Sequence, residues 1–383
     1  MKPASNSDIW INIQRYLNKH HFIFVFAFFL FIITCILIYL FLQQKQVHVQ
    51  DLTIITDQTR SYLTTTLTQH KNETKFPYRY LVDEKGQIIP VVLVSAFFRD
   101  DAARDTYFEY INNGIKVVGI TAYKSFPKKI TDSGEDKYHL TDTFDYNQIH
   151  NWICCFKNPE EFGLSHQNHR LIDISESDFY DLDTSEENIE KKYDVIYICL
   201  KDHTSTDNTC PMDGWNAINR NYKLALACLP IMIKEYGLKV LVVGRTGCGL
   251  EDLYGDLIET TDFLPYNEFQ DKIRQSRILF VPNIYDASPR VVSESIIKGL
   301  AVLMNRNILC GSKYITDETG EFFTDDNDIR YALDRLLSKI DKISPKKWWR
   351  EHYGRQNSGK KMCDFLNECY PKLLEDVKEV YFN

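Results

Sequence analysis

The longest apolar run in the chain lies near its N-terminus. From Phe22 to Leu42 there are 21 residues without a charged side chain. At about 1.5 Å per residue, a helix of this length crosses the roughly 30 Å hydrocarbon layer of a bilayer. The run stays rich in Phe, Ile and Leu to its end, whereas a cleaved signal peptide has a shorter apolar region that ends in small residues. The pattern therefore predicts a retained transmembrane helix at residues 22–42.

The charges that flank this run predict its orientation. Lys2, Arg15 and Lys19 precede it, and only Lys45 follows it closely. Because cationic residues are retained on the cytosolic side of a membrane, residues 1–21 are expected in the cytosol. The sequence thus predicts a single-pass type II membrane protein with its body in a lumen, of the Golgi or ER kind in a eukaryote, or outside the cell.

A polar segment follows the predicted anchor. Residues 43–80 are rich in Gln and Thr and lack a sustained hydrophobic period, which is typical of a stem. Asn72-Glu73-Thr74 is an N-glycosylation sequon within it. The tripeptide fits a lumenal glycoprotein, although an ordinary polar turn has the same composition.

Residues 81–192 show short apolar runs separated by a helical pattern. The pattern predicts strands at 88–97 and 115–120, with a helix at 99–112 between them. A strand, a helix and a second strand within about 30 residues form a βαβ unit, which requires a parallel sheet covered by helices. We therefore predict a small Rossmann-like domain, with further strands at 152–156 and 171–174.

The same alternation is stronger over residues 193–345 and predicts a second Rossmann-like domain. Its predicted strands lie at 194–200, 238–243, 262–264, 278–281 and 300–304, and its predicted helices at 215–236, 266–275 and 288–298. Residues 346–383 are predicted to be a helical tail that folds back on the first domain. The predicted fold class is α/β, with a pair of Rossmann-like domains behind an N-terminal transmembrane helix.

Composition and charge narrow the possible functions. The chain has a formal net charge of −8, 44% hydrophobic residues and 10 cysteines. Nucleic-acid-binding proteins usually carry a basic face, so no nucleic-acid partner is predicted. The cysteines show no zinc spacing, and most are expected to be buried free thiols. Cys210 and Cys248 lie in polar loops and are the better candidates for a disulfide in a lumenal body.

Two acidic residues flank a predicted strand-to-helix turn. Asp286 precedes Glu294 by eight positions, and Ser288 and Pro289 suit the N-cap and first position of the helix between them. The first N–H groups of that helix would point out of the carboxyl edge of the sheet, where doubly wound domains bind anionic ligands. A diphosphate suits this position, and Glu294 could accept hydrogen bonds from sugar hydroxyls.

This segment resembles the acid-x7-acid signature of the retaining GT-B glycosyltransferases of family 4, also called group 1, and the resemblance covers residues 193–325. It implies that Asp286 contacts the donor sugar and Glu294 holds the ribose. It also places Ser288, Pro289, Arg290 and Val291 near the donor phosphates. Two departures are present: Asp286 replaces the usual Glu, and Ala-Ser-Pro-Arg replaces the usual Gly-Phe-Gly. The donor sugar is therefore expected to be held differently.

The resemblance implies further donor contacts. Family members place basic residues after the first strand of this domain and on the following helix, where they neutralise the leaving diphosphate. Lys201 is the first candidate for this role, and Arg220 and Lys223 are the others. The remaining donor contacts are expected from Gly244, Arg245, Phe263 and Leu264; Arg245 could either reach phosphate or face water.

Several other motifs fit less well. The spacing Gly244, Gly247, Gly249 differs from the G-x-G-x-x-G of dinucleotide-binding turns. Asp181-Leu182-Asp183 matches a metal-binding D-x-D, but its acidic, turn-rich surroundings favour a solvated surface. His166 and His169 are more typical of structural or exposed histidines than of a catalytic base.

The sequence thus predicts an enzyme, a glycosyltransferase that uses a nucleotide-sugar donor and a glycan or glycoconjugate acceptor. The resemblance implies retention of anomeric configuration without a metal ion or other cofactor. Two alternatives stay open at this stage. One is an inverting sugar-nucleotide enzyme, and the other is a non-catalytic, membrane-tethered binding protein with a degenerate GT-B fold.

Overall fold

The structure is a computed structural model that describes most of the body of the chain. Contacts between Cα atoms divide the chain into two compact units, Met1–Ile54 with Tyr370–Leu373 and Ile55–Cys369 with Leu374–Asn383. In the first unit the amide of Leu373 donates to the carbonyl of Tyr370 at 3.1 Å. All elements named below belong to the second unit. The described residues are 10, 14, 34, 57–68, 76–122, 126–128, 142–181, 189–202 and 210–383.

The first lobe is built on a mixed, six-stranded sheet. Its elements are helix α1 (Asp57–Tyr62), strands β1 (Tyr78–Asp83) and β2 (Ile88–Val94), helix α2 (Asp101–Asn112), and strands β3 (Lys116–Ile120), β4 (Asn151–Ile153) and β5 (Arg170–Ile172). The last strand of the chain, β12 (Val380–Phe382), completes the order β12-β1-β2-β3-β4-β5. Strands β2 to β5 are parallel, whereas β1 runs antiparallel to both of its neighbours.

The second lobe contains a fully parallel, six-stranded sheet in the order β11-β10-β9-β6-β7-β8. Its strands are β6 (Tyr193–Ile198), β7 (Val240–Val243), β8 (Ile258–Thr261), β9 (Ser276–Val281), β10 (Ala301–Asn305) and β11 (Gly320–Phe323). Its helices are α3 (Trp215–Asn219), α4 (Tyr222–Pro230), α5 (Leu250–Tyr254), α6 (Tyr266–Arg274), α7 (Arg290–Ile296) and α8 (Ile329–Lys339), followed by α9 (Pro345–His352) and α10 (Arg355–Cys369).

Burial on both faces explains the continuous apolar runs of the second sheet. In β6, Val195 and Tyr197 belong to the hydrophobic core on one face, while Ile196 and Ile198 pack in the core on the other. Because successive side chains of a strand point to opposite faces, a strand covered on both sides needs apolar residues throughout. The predicted α/β fold with two sheets is confirmed.

The predicted stem at residues 43–80 is partly folded, which corrects the predicted start of the first domain. Helix α1 continues into a π-helical turn, Leu63–Leu67, in which Leu67 is fully buried. The Tyr62 hydroxyl donates to Glu109 Oε1 in α2 at 2.6 Å. The few apolar residues of this short helix lie among threonines, so they produce no sustained sequence period.

The predicted helix at 215–236 is wrong as a single element, because the chain breaks between α3 and α4. Asn221 adopts a left-handed conformation with φ of 47°, which Asn tolerates better than most residues. Its side-chain amide donates to the Pro282 carbonyl at 3.1 Å, and the Tyr197 hydroxyl donates to the Arg220 carbonyl at 3.0 Å. The hydrogen bond from Tyr197 satisfies the Arg220 carbonyl, which a continuous helix would have paired internally, and the Asn221 side chain ties the break to the end of β9.

Three other predicted boundaries are corrected. The strand predicted at 262–264 lies earlier, as β8, and residues 262–265 have no regular structure. Helix α7 begins at Arg290 with Pro289 as its N-cap, so Ser288 is not the capping residue. The predicted helical tail comprises α9 and α10 and ends in strand β12, which pairs with β1 as an edge of the first sheet.

The membrane segment remains a prediction. No helix in the part of the chain that the structure describes is long and apolar enough to cross a bilayer. The predicted span at 22–42 lies outside the described residues except for Thr34, and the sequon at Asn72 lies outside them as well.

Candidate active site

The strand order of the second sheet creates a switch point between β6 and β9. These two strands are neighbours, and the chain proceeds from them towards opposite edges of the sheet. In open α/β sheets, ligands bind in the crevice beyond the carboxyl ends of the strands at such a point. The loop after β9 carries Asn283, Asp286 and Ser288, and the break between α3 and α4 lies beside it.

Asp286 is held at this switch point by groups from its own loop and from the helix break. Its Oδ2 atom forms an ion pair with Arg220 Nη1 and accepts a hydrogen bond from Asn283 Nδ2 at 3.1 Å. Its Oδ1 atom accepts from the Ser288 amide at 3.2 Å. The carboxylate is therefore fixed in position, with little of its side chain exposed to solvent.

Of the basic candidates, the structure brings Arg220 to Asp286 rather than Lys201. The Lys201 amide donates to the Gly244 carbonyl at 2.9 Å, but its side chain does not line the two cavities that contain Asp286. Lys223, the third candidate, is exposed one residue into α4 and also lies outside both cavities. The break between α3 and α4 positions Arg220, and no local pattern in the sequence indicates that break.

Glu294 lies in the middle of α7 and is largely buried. Gln270 Nε2 in α6 donates to Glu294 Oε2 at 3.3 Å, and the Tyr180 hydroxyl is a second partner. Burial raises the pKa of the Glu294 carboxyl above its usual range, while these hydrogen bonds oppose the rise. The carboxyl is thus placed by two other elements of the fold.

A charged cluster joins the two lobes beside Asp286. Glu176, from the segment after β5, pairs with Arg79 of β1 and, at 3.4 Å, with Arg290 Nη2 at the start of α7. Next to it, the hydroxyls of Ser177 and Ser288 are hydrogen-bonded at 3.0 Å. Ser288 therefore contacts the first lobe instead of capping α7, and Arg290 stands between the lobes.

Three adjoining cavities connect these residues. The first, about 360 Å³, lies between the lobes, and the second, about 340 Å³, extends along α7. Arg220, Asp286, Ser288 and Arg290 line both. A third cavity of about 430 Å³ shares Glu294 with the second. Together they form a row of spaces from the inter-lobe cleft, past Asp286, to Glu294.

Gly244 and Arg245 contribute to the packing of the second lobe. Gly244 has φ of +95°, and a Cβ atom there would lie 2.9 Å from the Leu200 Cα, so only glycine allows the loops after β6 and β7 to approach. The alternative that Arg245 faces water is wrong, because its side chain is fully buried. Arg245 Nε donates to Cys199 Sγ at 3.1 Å, and its guanidinium lies 4.2 Å from the centre of the Tyr222 ring.

The remaining predicted donor contacts are divided between exposed and packed positions. Phe263 is 74% exposed, while Leu264 packs against the core under α7. Neither lines the three cavities. Val291 lines the second cavity. Pro289 packs against Gly311, whose missing side chain leaves room for the proline ring.

The other polar motifs have structural partners or lie away from the cleft. His169 is buried, its Nδ1 accepts from the Ser165 amide at 3.2 Å, and burial lowers its pKa. His166 is exposed and lines a separate cavity. Asp181 accepts from the Arg355 amide at 3.0 Å, and Asp183 is outside the described residues. No cluster of three or more potential metal ligands occurs among the residues that were described.

The predicted disulfide is present. Cys210 and Cys248 are bonded, with their Cα atoms 5.5 Å apart. The bond links the segment before α3 to the loop after β7. The other cysteines in the described ranges are free thiols, as expected.

Sequence reasoning did not identify four residues that build the site: Arg79, Glu176, Gln270 and Asn283. Asn283 could have been found, because it directly follows β9 at the carboxyl edge of the sheet. The other three are far from Asp286 and Glu294 along the chain, and their roles depend on how the lobes and helices pack.

Comparison with known proteins gives structural matches only. No protein-family model matches the chain, and no curated protein matches it significantly. Its fold is similar to that of the lipopolysaccharide outer core galactosyltransferase WaaB. The two chains are 12% identical, the match covers 81% of this chain and 80% of WaaB, and the TM-score is 0.48. A glycosyltransferase from Rickettsia africae matches with 14% identity, coverage of 75% and 77%, and a TM-score of 0.48.

The pneumococcal O-GlcNAc transferase GtfA, solved with UDP and GlcNAc, matches with 12% identity and a TM-score of 0.47. That match covers 73% of this chain but only 56% of the length of GtfA. Identities and scores in this range do not assign the chain to a family. Function is therefore argued from the site itself.

Proposed function

We propose that this protein is a glycosyltransferase of the retaining GT-B type, which moves a sugar from a nucleotide-sugar donor to a glycan or glycoconjugate acceptor. The observation that carries the proposal is the placement of Asp286, ion-paired to Arg220, at the switch point of a doubly wound sheet and inside a cleft between two α/β lobes. This placement suits a ligand with an anionic centre and a hydroxyl-rich end.

In this proposal the donor diphosphate lies between Arg220 and Arg290. Both arginines line the two cavities that meet at Asp286, and the side chain of Arg290 is 62% exposed. Guanidinium groups match phosphate oxygens in geometry and remain charged at all relevant pH values. Binding would exchange their present carboxylate partners for phosphate, which places positive charge where the leaving group develops negative charge.

In this proposal the donor sugar and the ribose occupy the spaces on either side of the diphosphate. Asp286 accepts hydrogen bonds from hydroxyls of the donor sugar, and Glu294, in the adjoining cavity, accepts from the ribose. Gln270 and Tyr180 hold the Glu294 carboxyl in place for that contact. Separate roles for the two acids account for the presence of both carboxylates in the lining of one cavity.

The proposed reaction needs no protein nucleophile. The bond between the anomeric carbon and the diphosphate oxygen breaks, and the diphosphate leaves with the electron pair. The acceptor oxygen forms the new bond on the same face of the sugar, and its proton passes to a diphosphate oxygen. Because arginines supply the charge compensation, no metal ion is required, and turnover should persist in the presence of EDTA.

A separate set of observations supports the proposed location of the body. Disulfides persist in oxidising compartments, and the Cys210–Cys248 bond suits such a place. Together with the apolar run at 22–42 and its flanking charges, this bond supports a type II protein with a lumenal or external body. The anchor would keep the enzyme at a membrane near its acceptor.

The test is turnover by the purified full-length chain in detergent. Nucleotide-sugars are supplied one at a time with a mixture of glycoside acceptors, and both donor hydrolysis and transfer are measured. One donor should be consumed, and Asp286→Asn and Glu294→Ala should lose that activity. Glu318→Ala, an exposed carboxylate away from the cleft, should retain it. Consumption of no donor would reject the proposal.

Two further readouts separate the alternatives. NMR of the product gives the anomeric configuration, and an inverted product would replace the retaining mechanism with an inverting one. Thermal stabilisation by UDP or GDP without turnover of any donor would instead indicate a nucleotide-binding protein that does not catalyse transfer.

A further inference from the structure

An exposed tryptophan lies in the inter-lobe cleft beside the proposed reaction centre. Trp215, the first residue of α3, is 60% exposed and lines the same cavity as Asp286 and Arg220. Tyr285, next to Asp286 in sequence, lines it as well and is 37% exposed. Exposure of a large aromatic ring to water is unfavourable, and aromatic side chains in clefts commonly provide apolar surface for a ligand.

The start of α3 is built so that Trp215 is held in one place. Asp202 Oδ1, in the loop after β6, accepts from the Asn216 amide at 2.8 Å and so binds the first turn of the helix. A Cβ atom on Gly214 would lie 2.0 Å from Asp202 Oδ2. Glycine at 214 therefore lets the Asp202 carboxylate reach the helix directly before and after Trp215.

Two features with no part in the proposed transfer reaction support this helix start, a buried arginine and a half-buried disulfide. Arg245 Nη2 lies 3.9 Å from Asp202 Oδ2, and Arg245 Nη1 donates to the Pro211 carbonyl at 3.2 Å. The Cys210–Cys248 bond fixes the neighbouring segment to the same loop after β7. A buried arginine and a disulfide thus restrain the residues that lead into Trp215, which is more support than an exposed surface residue needs.

Trp215 and the Asp286–Arg220 pair line one cavity at different points. Arg220 follows Trp215 by five residues, a rise of about 7.5 Å along a helix axis, so the two side chains are attached at opposite ends of α3. A ligand bound at Trp215 would therefore lie next to the Asp286–Arg220 pair. Glu294, the proposed ribose contact, lines only the cavities that do not contain Trp215.

The wall that the first lobe adds to this cavity is mainly neutral. Its uncharged residues include Ile120, Thr121, Ala122, Ile174 and Ser175. The charged residues of the lining, apart from the Arg220–Asp286 pair, are Glu176 and the two arginines that both pair with it, Arg79 and Arg290. The one positive charge that this leaves is assigned to the donor diphosphate through Arg290, and the rest of the lining offers apolar and hydroxyl contacts.

From this arrangement we infer that Trp215 is the platform of an acceptor subsite, on which a neutral saccharide ring stacks through its apolar face. The inference rests on the proposed glycosyltransferase activity and extends it by naming the acceptor class. Stacking would orient one hydroxyl of the acceptor towards the donor sugar at Asp286. Trp215 contacts the substrate but takes no part in bond formation.

The test compares acceptor and donor kinetics of the full-length protein. Trp215→Ala and Trp215→Phe are assayed with neutral methyl glycosides and with a glucuronide, alongside hydrolysis of the donor in the absence of acceptor. Trp215→Ala should raise KM for the neutral glycoside about tenfold, the loss of one aromatic contact. Trp215→Phe should retain most of the affinity, and donor hydrolysis should stay unchanged in both variants. Tyr331→Ala removes an equally exposed aromatic residue on α8 and is the matched control.

Three results would overturn the inference: an unchanged acceptor KM in Trp215→Ala, a raised donor KM, which would assign the ring to the nucleobase, or a preference for the glucuronide. A binding readout keeps the test independent of folding defects in the alanine variant. Tryptophan fluorescence of the wild type should change on addition of the neutral glycoside, and the change should be smaller in Trp215→Phe. If donor turnover is normal but these results fail, only the subsite is rejected; if no donor turns over, the proposed function itself fails.

Discussion

Arg220 forms an ion pair with Asp286 across the switch point of the second sheet. The pair depends on the break between α3 and α4, which places Arg220 at the end of a short helix, and on the loop after β9, which presents Asp286. The break sets the position of Arg220, whereas the hydrogen bonds of its own loop set that of Asp286. The break between α3 and α4 therefore places a cation at the proposed reaction centre.

Replacement of Arg220 tests its proposed role in binding the leaving diphosphate. Arg220→Ala should lower kcat/KM for the donor by about 10²- to 10³-fold, as expected when one preorganised charge is removed from the leaving group. Arg220→Lys should recover only part of this loss, because lysine cannot form the paired contacts of a guanidinium. Arg335→Ala, which removes an exposed arginine on α8, is the control in steady-state assays. Equal activity of Arg220→Ala and Arg335→Ala would contradict the role.

The raised pKa of Glu294 predicts a pH dependence of donor binding. Because burial favours the neutral form, Glu294 takes up its proton at a higher pH than an ordinary glutamate. As the pH falls through this raised pKa, the carboxylate is lost and the donor KM should rise. The same shift means that the Glu294 contribution to folding becomes less favourable as the pH rises through that pKa.

The measurement is donor KM as the pH is lowered stepwise from neutrality. Glu294→Gln keeps the shape of the side chain but cannot ionise, so its KM should be higher than that of the wild type and should lose this pH dependence. A variant that retains the wild-type profile would show that another group titrates.

Two glycines provide a matched test of the close approach at Gly244. Gly237 and Gly244 both have positive φ, but a Cβ atom at 237 would meet nothing within 4 Å, whereas one at 244 would meet the Leu200 backbone. Gly237→Ala should lower the free energy of unfolding by about 1 kcal/mol from the left-handed conformation alone. Gly244→Ala should lower it by about 3 kcal/mol, because steric overlap is added. Urea unfolding distinguishes the two, and equal losses would disprove the close approach.

The disulfide predicts a redox-dependent stability. Cys210 and Cys248 are separated by 38 positions, and closing a loop of this length restricts the unfolded chain by about 4 kcal/mol. Cys210→Ser with Cys248→Ser should lower the free energy of unfolding by up to that amount. Reduction with dithiothreitol should produce a similar loss in the wild type and none in the double variant. Thiol labelling of both cysteines in the untreated native protein would contradict the pairing.

The burial of Trp349 predicts that helix α9 contributes strongly to the free energy of unfolding. It is fully buried, and its Nε1 donates to the Tyr180 carbonyl at 3.0 Å. Trp349→Ala should lower the free energy of unfolding by about 3 to 5 kcal/mol through the cavity that it leaves. Trp349→Phe should cost less, since it keeps much of the ring volume and loses mainly the hydrogen bond. Similar losses in both variants would indicate that the hydrogen bond, rather than packing, dominates.

The local hydrophobic pattern is sufficient to predict the alternating strands and helices at the core of the fold. The predicted bounds lie within a few residues of those observed for five strands, β2, β3, β6, β9 and β10. Burial on both faces requires a continuous apolar run in each of these strands, and such a run is visible in the sequence itself. The sequence also indicates Asp286 and Glu294 as two acids that follow one strand, and Cys210 and Cys248 as the better candidates for a disulfide. In contrast, the sequence does not indicate helix α1, because its few apolar residues lie in a polar segment. It does not indicate β12 either, because the partner strand β1 lies far earlier in the chain.

The chain alone thus determined that two α/β lobes form and that two acids follow one strand, since both depend on residues close together in sequence. Only the tertiary structure decided which cation meets Asp286. Arg220 takes this place because Asn221 donates to the Pro282 carbonyl and Tyr197 to the Arg220 carbonyl, and these hydrogen bonds stabilise a break that helical propensity would not produce. Likewise, Glu176 reaches Arg290 only because the lobes pack together. Contacts between distant parts of the chain carry no local periodic signal, so the detailed site could be described only from the folded structure.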